Sequence, residues 1–200
     1  MTAVLLALCF GHLTQPAYAE KDVHTLHALF AEAKTREDTL LLRYRLYALT
    51  QDKKLIADIP TNLDSASARE FALLSALWGY RVQDVGLINL IIYGQRSLRL
   101  LDRAIRRDPA EPLVMLIEAQ SLLFRPGIAG GSTRRALTRF LELRERVEEA
   151  PACGLDAQEV DSWIWYALEK LGAQEADSAR ASLLQADLPL LYREFVQSPP

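Results

Sequence analysis

The chain has 200 residues, half of them hydrophobic and 24% charged, with a formal net charge of −3. That length is enough for a sizeable core, and that apolar content argues against disorder as the general state. The small negative charge removes any global electrostatic case for nucleic acid, so no nucleic-acid partner is expected.

The first nineteen residues, MTAVLLALCFGHLTQPAYA, contain no Lys, Arg, Asp or Glu. An apolar run from Ala3 to Phe10 leads through Gln15-Pro16 to the A-x-A pattern Ala17-Tyr18-Ala19, with Glu20-Lys21-Asp22 behind it. This is the order of a secretory signal peptide cut after Ala19, lacking only the basic residue usual near its start. The competing reading is a buried first helix, against which Gly11, Pro16 and the charge boundary at Glu20 all count. Cys9 makes a poor lipoprotein signal, because Leu8 before it is not small. Cleavage after Ala19 leaves Cys153 as the only cysteine, which excludes an internal disulfide and makes it a plain loop thiol. A periplasmic or secreted location follows. No other stretch approaches the roughly 18 apolar residues of a membrane span.

Beyond residue 20, helix follows helix. Val23, Leu26, His27 and Phe30 share one face of a first helix, and residues 40–49 carry a second, with Arg43 and Arg45 set among leucines and tyrosines. Residues 20–63 read as an N-terminal hairpin closed by a loop that holds Pro60. Asp64-Ser65 is the expected cap of a third helix reaching to about Gln83, with Phe71, Leu74, Leu77 and Trp78 at helical spacing. In the fourth, Leu90, Gly94, Ser97, Leu98, Leu101, Ala104 and Ile105 form a stripe, with a basic surface of Arg96, Arg99, Arg103, Arg106 and Arg107 opposite. Asp108-Pro109 stops it. The fifth, residues 111–124, is apolar nearly all round and is expected to be central. The sixth, residues 132–149, is expected to bury Ala136, Leu137, Phe140, Leu141, Leu143 and Val147. The seventh, from Asp156 to Gly172, is expected to turn Val160, Trp163, Ile164, Ala167, Leu168 and Leu171 inward. An eighth begins near Gln174 and is interrupted by Pro189. No alternating strand pattern appears, so the fold class is all-α.

The helices repeat weakly at the spacing of a helix–turn–helix unit of about 34 residues. Ser97, Leu101, Ala104 and Pro109 fall at its small, apolar, small and closing positions; Ala136 and Phe140 repeat part of this, and Ala176, Ala179 and Leu183 give a weaker copy. Over residues 68–188 the chain resembles the tetratricopeptide-repeat-like superfamily, although the link before the fourth helix is about eight residues longer than the consensus unit. The segments LDRAIRRDPAEP and FRPGIAGGSTRRALTRF look like exported bacterial proteins of that superfamily, among which the T component of TRAP transporters is a remote relative. The resemblance implies a right-handed superhelix of antiparallel hairpins over residues 64–200. Its inner groove would be lined by the first helix of each hairpin, here carrying Trp78, Tyr80, Trp165 and Tyr166. Trp163 fits the core stripe, so Trp165 and Tyr166 are the rings expected to face a partner.

FRPGIAGGSTRRAL, residues 124–137, tests the alternative of a nucleotide enzyme. It has no lysine before its hydroxyl pair and no preceding strand, so it is neither a Walker loop nor a dinucleotide fingerprint. It reads as a hairpin corner with Ser132 opening a helix, leaving Ser132, Arg134 and Arg135 as a candidate anion contact. His24 and His27, three residues apart, lack the Cys or H-E-x-x-H partners of a metal site, and one surface and one core histidine are expected. Asp156 and Glu159 fit a helix start. No nucleophile–base pair or metal set assembles, so neither catalysis nor a cofactor is expected. Residues 90–139 hold nine Arg and four acids, whereas residues 140–178 hold ten acids and three bases. That polarity suits an acidic partner or an anionic membrane surface at one end. The expected function is protein or peptide binding in the cell envelope, with small-ligand binding for an envelope transport system as the alternative.

Overall fold

The computed structural model describes residues 9–82, 86–150 and 152–200. The apolar leader run up to Leu8, the helix end expected at Gln83, and Pro151 lie outside the described residues. Among those described there are eleven α-helices and no strand. They are α1 (Phe10–Ala19), α2 (Val23–Glu32), α3 (Arg36–Thr50), α4 (Lys54–Ala57), α5 (Ala68–Arg81), α6 (Leu87–Arg107), α7 (Pro112–Phe124), α8 (Thr133–Glu149), α9 (Ala157–Leu171), α10 (Glu175–Gln185) and α11 (Leu190–Gln197). The all-α expectation holds.

Local chemistry explains most of the helix starts. Thr35 and Ser67 each close a capping box with an acid three residues on, Asp38 and Glu70. The cap of α5 is therefore Ser67, two residues beyond the Asp64-Ser65 pair expected from the sequence. Glu111 accepts from the amide of Val114 while Pro112 fills the first helical position, where no donor is needed. Ser132 and Asp156 cap α8 and α9 in the same way, and Gly172 ends α9 with φ of 63°.

Successive helices pack as hairpins: α5 on α6, α7 on α8, α9 on α10. Alternate helices also touch, α3 on α5, α5 on α7 and α9 on α11, while α8 packs on α9. Small residues set the α5–α6 approach. The Ser75 hydroxyl donates to the Ser97 carbonyl at 2.8 Å and the Ser97 hydroxyl returns a bond to the Ser75 carbonyl at 2.9 Å. The fifth helix of the sequence reading is central as expected, since Leu113 to Ile117 of α7 are all buried. Leu141 is not: it is 47% exposed, because α9 covers the opposite side of α8, where Phe140 and Leu143 point. Both His24 and His27 are exposed, which corrects the expectation of one core histidine.

The glycine-rich stretch is a corner. Gly127–Ala129 form one 3-10 turn, Gly130 adopts φ of 87°, the amides of Gly130 and Gly131 are bonded within the corner, and that of Ser132 donates to the Leu122 carbonyl of α7. Gly131 presses on the preceding chain so closely that a Cβ there would lie 1.7 Å from the Arg125 carbonyl oxygen. Gly131→Ala must therefore push the α7–α8 link apart, at a cost of about 1–3 kcal/mol or more. A urea melt should show the loss, and a wild-type midpoint would mean that the corner is looser than its geometry.

Candidate functional site

The segment read as a signal peptide forms α1, and α1 is not peripheral. It packs on α2, α3 and α11, and Gly11, Thr14, Gln15, Ala17 and Ala19 turn inward. Gly11 and Pro16, the reasons against a first helix, are both part of it: Pro16 is exposed, and Gly11 meets the turn at residues 153–154. A Cβ on Gly11 would lie 2.7 Å from the Gly154 nitrogen, so only glycine permits this approach. Beside that contact Cys9 and Cys153 are joined as a disulfide, with their Cα atoms 6.0 Å apart. Cys153 is thus no plain loop thiol in this structure.

Beneath α1 lies a cluster of buried polar side chains drawn from three helices. Arg45 of α3 is 2% exposed. It donates to the Thr14 hydroxyl, the Gln15 side-chain oxygen and the Gly154 carbonyl. The amide nitrogen of Gln15 faces the other way, 2.7 Å from the Tyr192 hydroxyl, 2.9 Å from Asp156 Oδ2 and 3.1 Å from Glu159 Oε2. One neutral amide therefore stands between a guanidinium and two carboxyl groups. The acids are there for a local reason: Asp156 caps α9 and accepts from the Glu159 amide at 2.8 Å, at the helix end that favours negative charge. Tyr192 arrives on α11.

Burial dominates the electrostatics of this cluster. Desolvation pushes the Glu159 carboxyl up to about 7; Arg45 opposes the rise, and Asp156 adds to it. Desolvation also lowers the Arg45 pKa and raises that of Tyr192. The Gln15 amide matches both sides of the cluster, its oxygen accepting from Arg45 and its nitrogen donating to Asp156 and Glu159. No group of three or more metal-ligating side chains occurs among the described residues. A surface groove of about 490 Å³ beside α8 does not reach the cluster, and its Arg139 is already engaged by Glu118, Glu142 and the Pro109 carbonyl.

Three of the four aromatics expected in an inner groove occupy the core, and the fourth, Tyr80, is partly buried against it. Trp165 and Tyr166 are 1% and 2% exposed and pack with Ala19, Leu188, Tyr192 and Val196. It is Trp163 that is half-buried, its ring 4.8 Å from Phe195 and 6.0 Å from Phe140. The correction has a simple cause: α11, past Pro189, lies along α9 and covers the face carrying Trp165 and Tyr166. Trp78 is 2% exposed and donates to the Pro60 carbonyl at 2.9 Å, and half-buried Tyr80 packs on Tyr44 and Tyr47.

The basic surface of α6 is broken up by local partners. Arg96 lies over Trp78, Arg103 over Phe71 and against Asn62, and Arg106 pairs with Asp102, while Arg99 and Arg107 are exposed. The candidate anion contact lies at the start of α8. Ser132 spends its oxygen on the Arg135 amide, and Arg134 and Arg135 are exposed beside it. The residues that sequence reasoning missed are Gln15, Arg45 and Tyr192, together with the burial of Glu159. Arg45, a charge at an apolar-patterned position, was the available signal. Comparison of the chain with family models, curated proteins and solved structures finds no match.

Proposed function

We propose that this is an exported, non-catalytic protein of stacked helical hairpins, tetratricopeptide-like in architecture, that binds a segment of another protein. The observation that carries this reading is α1 itself. Its bonds to Arg45 of α3, to Asp156 and Glu159 at the start of α9 and to Tyr192 of α11 tie the stacked hairpins together, the architecture on which helical-repeat proteins present binding faces. Export is supported by the Cys9–Cys153 disulfide, which suits an oxidising compartment. Ala19 is 4% exposed and α1 is tied to the fold through Cys9, and both count against a cut after Ala19.

The alternative of a small-ligand component of a transport system also has one observation in its favour. Arg45 and the Asp156–Glu159 pair present opposite polarity to one side chain, that of Gln15, which fills the space between them. Affinity capture by the tagged protein from an envelope extract, with mass spectrometry, separates the two. A recurring protein partner, displaced by excess untagged protein, is the expected result. A thermal shift with metabolites and no captured protein would favour the alternative.

A further inference from the structure

We propose that the first turns of α6 make a peripheral membrane contact, in which Leu90, Ile91 and Ile92 enter the boundary of an anionic bilayer while Arg81, Arg96 and Arg99 meet its headgroup phosphates. The inference goes beyond the partner-binding reading and does not depend on it. Three features of this end of the helix carry it.

The first is shape. α6 has 21 residues, whereas α5, on which it packs, has 14. In their antiparallel pairing Ser75 meets Ser97, and the Trp78 ring lies 5.0 Å from that of Tyr93. The end of α5 at Arg81 therefore falls near Ile91, and the start of α6 runs past it. Leu90, Ile91 and Ile92 are each at least 40% exposed. Successive residues of a helix point about 100° apart, so these three face different sides of it. A protein partner would need a socket around the helix end, whereas a fluid bilayer closes around it without one.

The second is the order of residues along the axis. Residues 86–95 hold no charged side chain, and the arginines of α6 begin at Arg96. Arg96 stands about 9 Å along the axis from Leu90, which matches the roughly 5–10 Å to which interfacial helices sink. No helix among the described residues is long and apolar enough to cross a membrane, so the contact is a shallow one.

The third is charge. Between Phe71 and Leu101 the sequence sets Arg81, Arg96 and Arg99 against one acid, Asp84, which lies outside the described residues. Residues 52–58, whose Ala57 carbonyl accepts from Arg81, add two lysines and two aspartates and so no net charge. Elsewhere Arg69, Arg139 and Arg144 are held by carboxylates. Arg81 and Arg96 instead stack on the Trp78 ring, at 4.8 and 4.4 Å, and Arg99 is exposed. None of these three has a carboxylate partner among the described residues. Stacking occupies the face of a guanidinium and leaves N–H groups on its edge to bind phosphate.

The test uses the full-length chain with a polarity-sensitive dye on Asn89→Cys, an exposed polar position beside the three apolar side chains. Both native cysteines are occupied by the disulfide, so the dye reports on the helix end alone. Vesicles of phosphatidylglycerol mixed with phosphatidylcholine should brighten and blue-shift the emission, and vesicles of phosphatidylcholine alone should not. Combining Ile91→Asn with Ile92→Asn should weaken the apparent partitioning about tenfold or more. Arg99→Gln should weaken it on the order of fivefold, and added salt should weaken the wild type as well. The three substituted side chains are exposed, and unchanged urea midpoints would show that the fold is intact.

A dye that does not respond to anionic vesicles would overturn the proposal. So would an equal response to neutral vesicles, or variants that partition like wild type. A dimer that the two asparagine substitutions turn into a monomer, with no dye response to lipid, would assign the helix end to a second copy of the chain instead.

Discussion

Trp165→Ala is expected to destabilise the protein by about 3–5 kcal/mol, the range for removing a large aromatic ring from a packed core. The ring is 1% exposed, lies 6.0 Å from Phe195 and shares a cluster with Ala19, Leu188, Tyr192 and Val196. For a chain of this length the loss corresponds to a fall in melting temperature of roughly 10 °C. Trp165→Phe is the control. The indole N–H is buried without an acceptor among the described residues, so replacing it with a phenyl ring leaves no further donor unmet and should cost much less. Circular dichroism during urea unfolding checks both. An unchanged midpoint for Trp165→Ala would place the ring on a free surface and restore it as a partner contact.

The second large effect is a pH dependence centred on Glu159. Burial raises its carboxyl from the ordinary 4.5 to about 7, so between those values the folded protein binds a proton that the unfolded chain has released. Unfolding then releases protons, and stability falls as pH rises. The favourable state is complete below about 4.5 and lost as pH passes through about 7, a difference on the order of 3 kcal/mol. Glu159→Gln keeps the side-chain shape and removes the ionisation. Its stability should stay nearly level over this window, and above it the variant should be more stable than wild type. Urea midpoints at several pH values decide the matter. A wild-type profile that rises toward neutral pH would show that Arg45 wins over desolvation and holds Glu159 ionised.

Both predictions depend on long-range placement that local sequence patterns do not encode. Trp165 follows Trp163 by two positions, so on a helix the two rings point to different sides, and only one was expected inside. Periodicity assigned the inner side to Trp163 because it matches Val160 and Ala167. The structure buries Val160 and Ala167, but it adds a second buried side where α11 lies. A helix covered on two sides has no single stripe to read. The same limit applied to Leu141, which shares a sequence neighbourhood with Phe140 yet faces away from α9.

The polar cluster was legible in fragments. Arg45 among leucines, and Asp156 with Glu159 at a helix start, were both visible in the sequence. Their meeting was not, because Gln15 and Glu159 are 144 residues apart. Gln15 falls within the leader pattern, and Tyr192 lies on a helix that the sequence marks only by the break at Pro189.

The sequence by itself determined the all-α class, most helix boundaries, and the corner at residues 126–132. These follow from short-range physics: hydrophobic period, capping side chains, and glycine or proline where the backbone must turn. Tertiary structure alone decided which tryptophan is buried and how deep Glu159 lies. It also decided that the Gln15 amide meets Arg45 on one side and two carboxyl groups on the other. Burial and charge depend on which distant helices arrive, and those contacts are properties of the assembled chain.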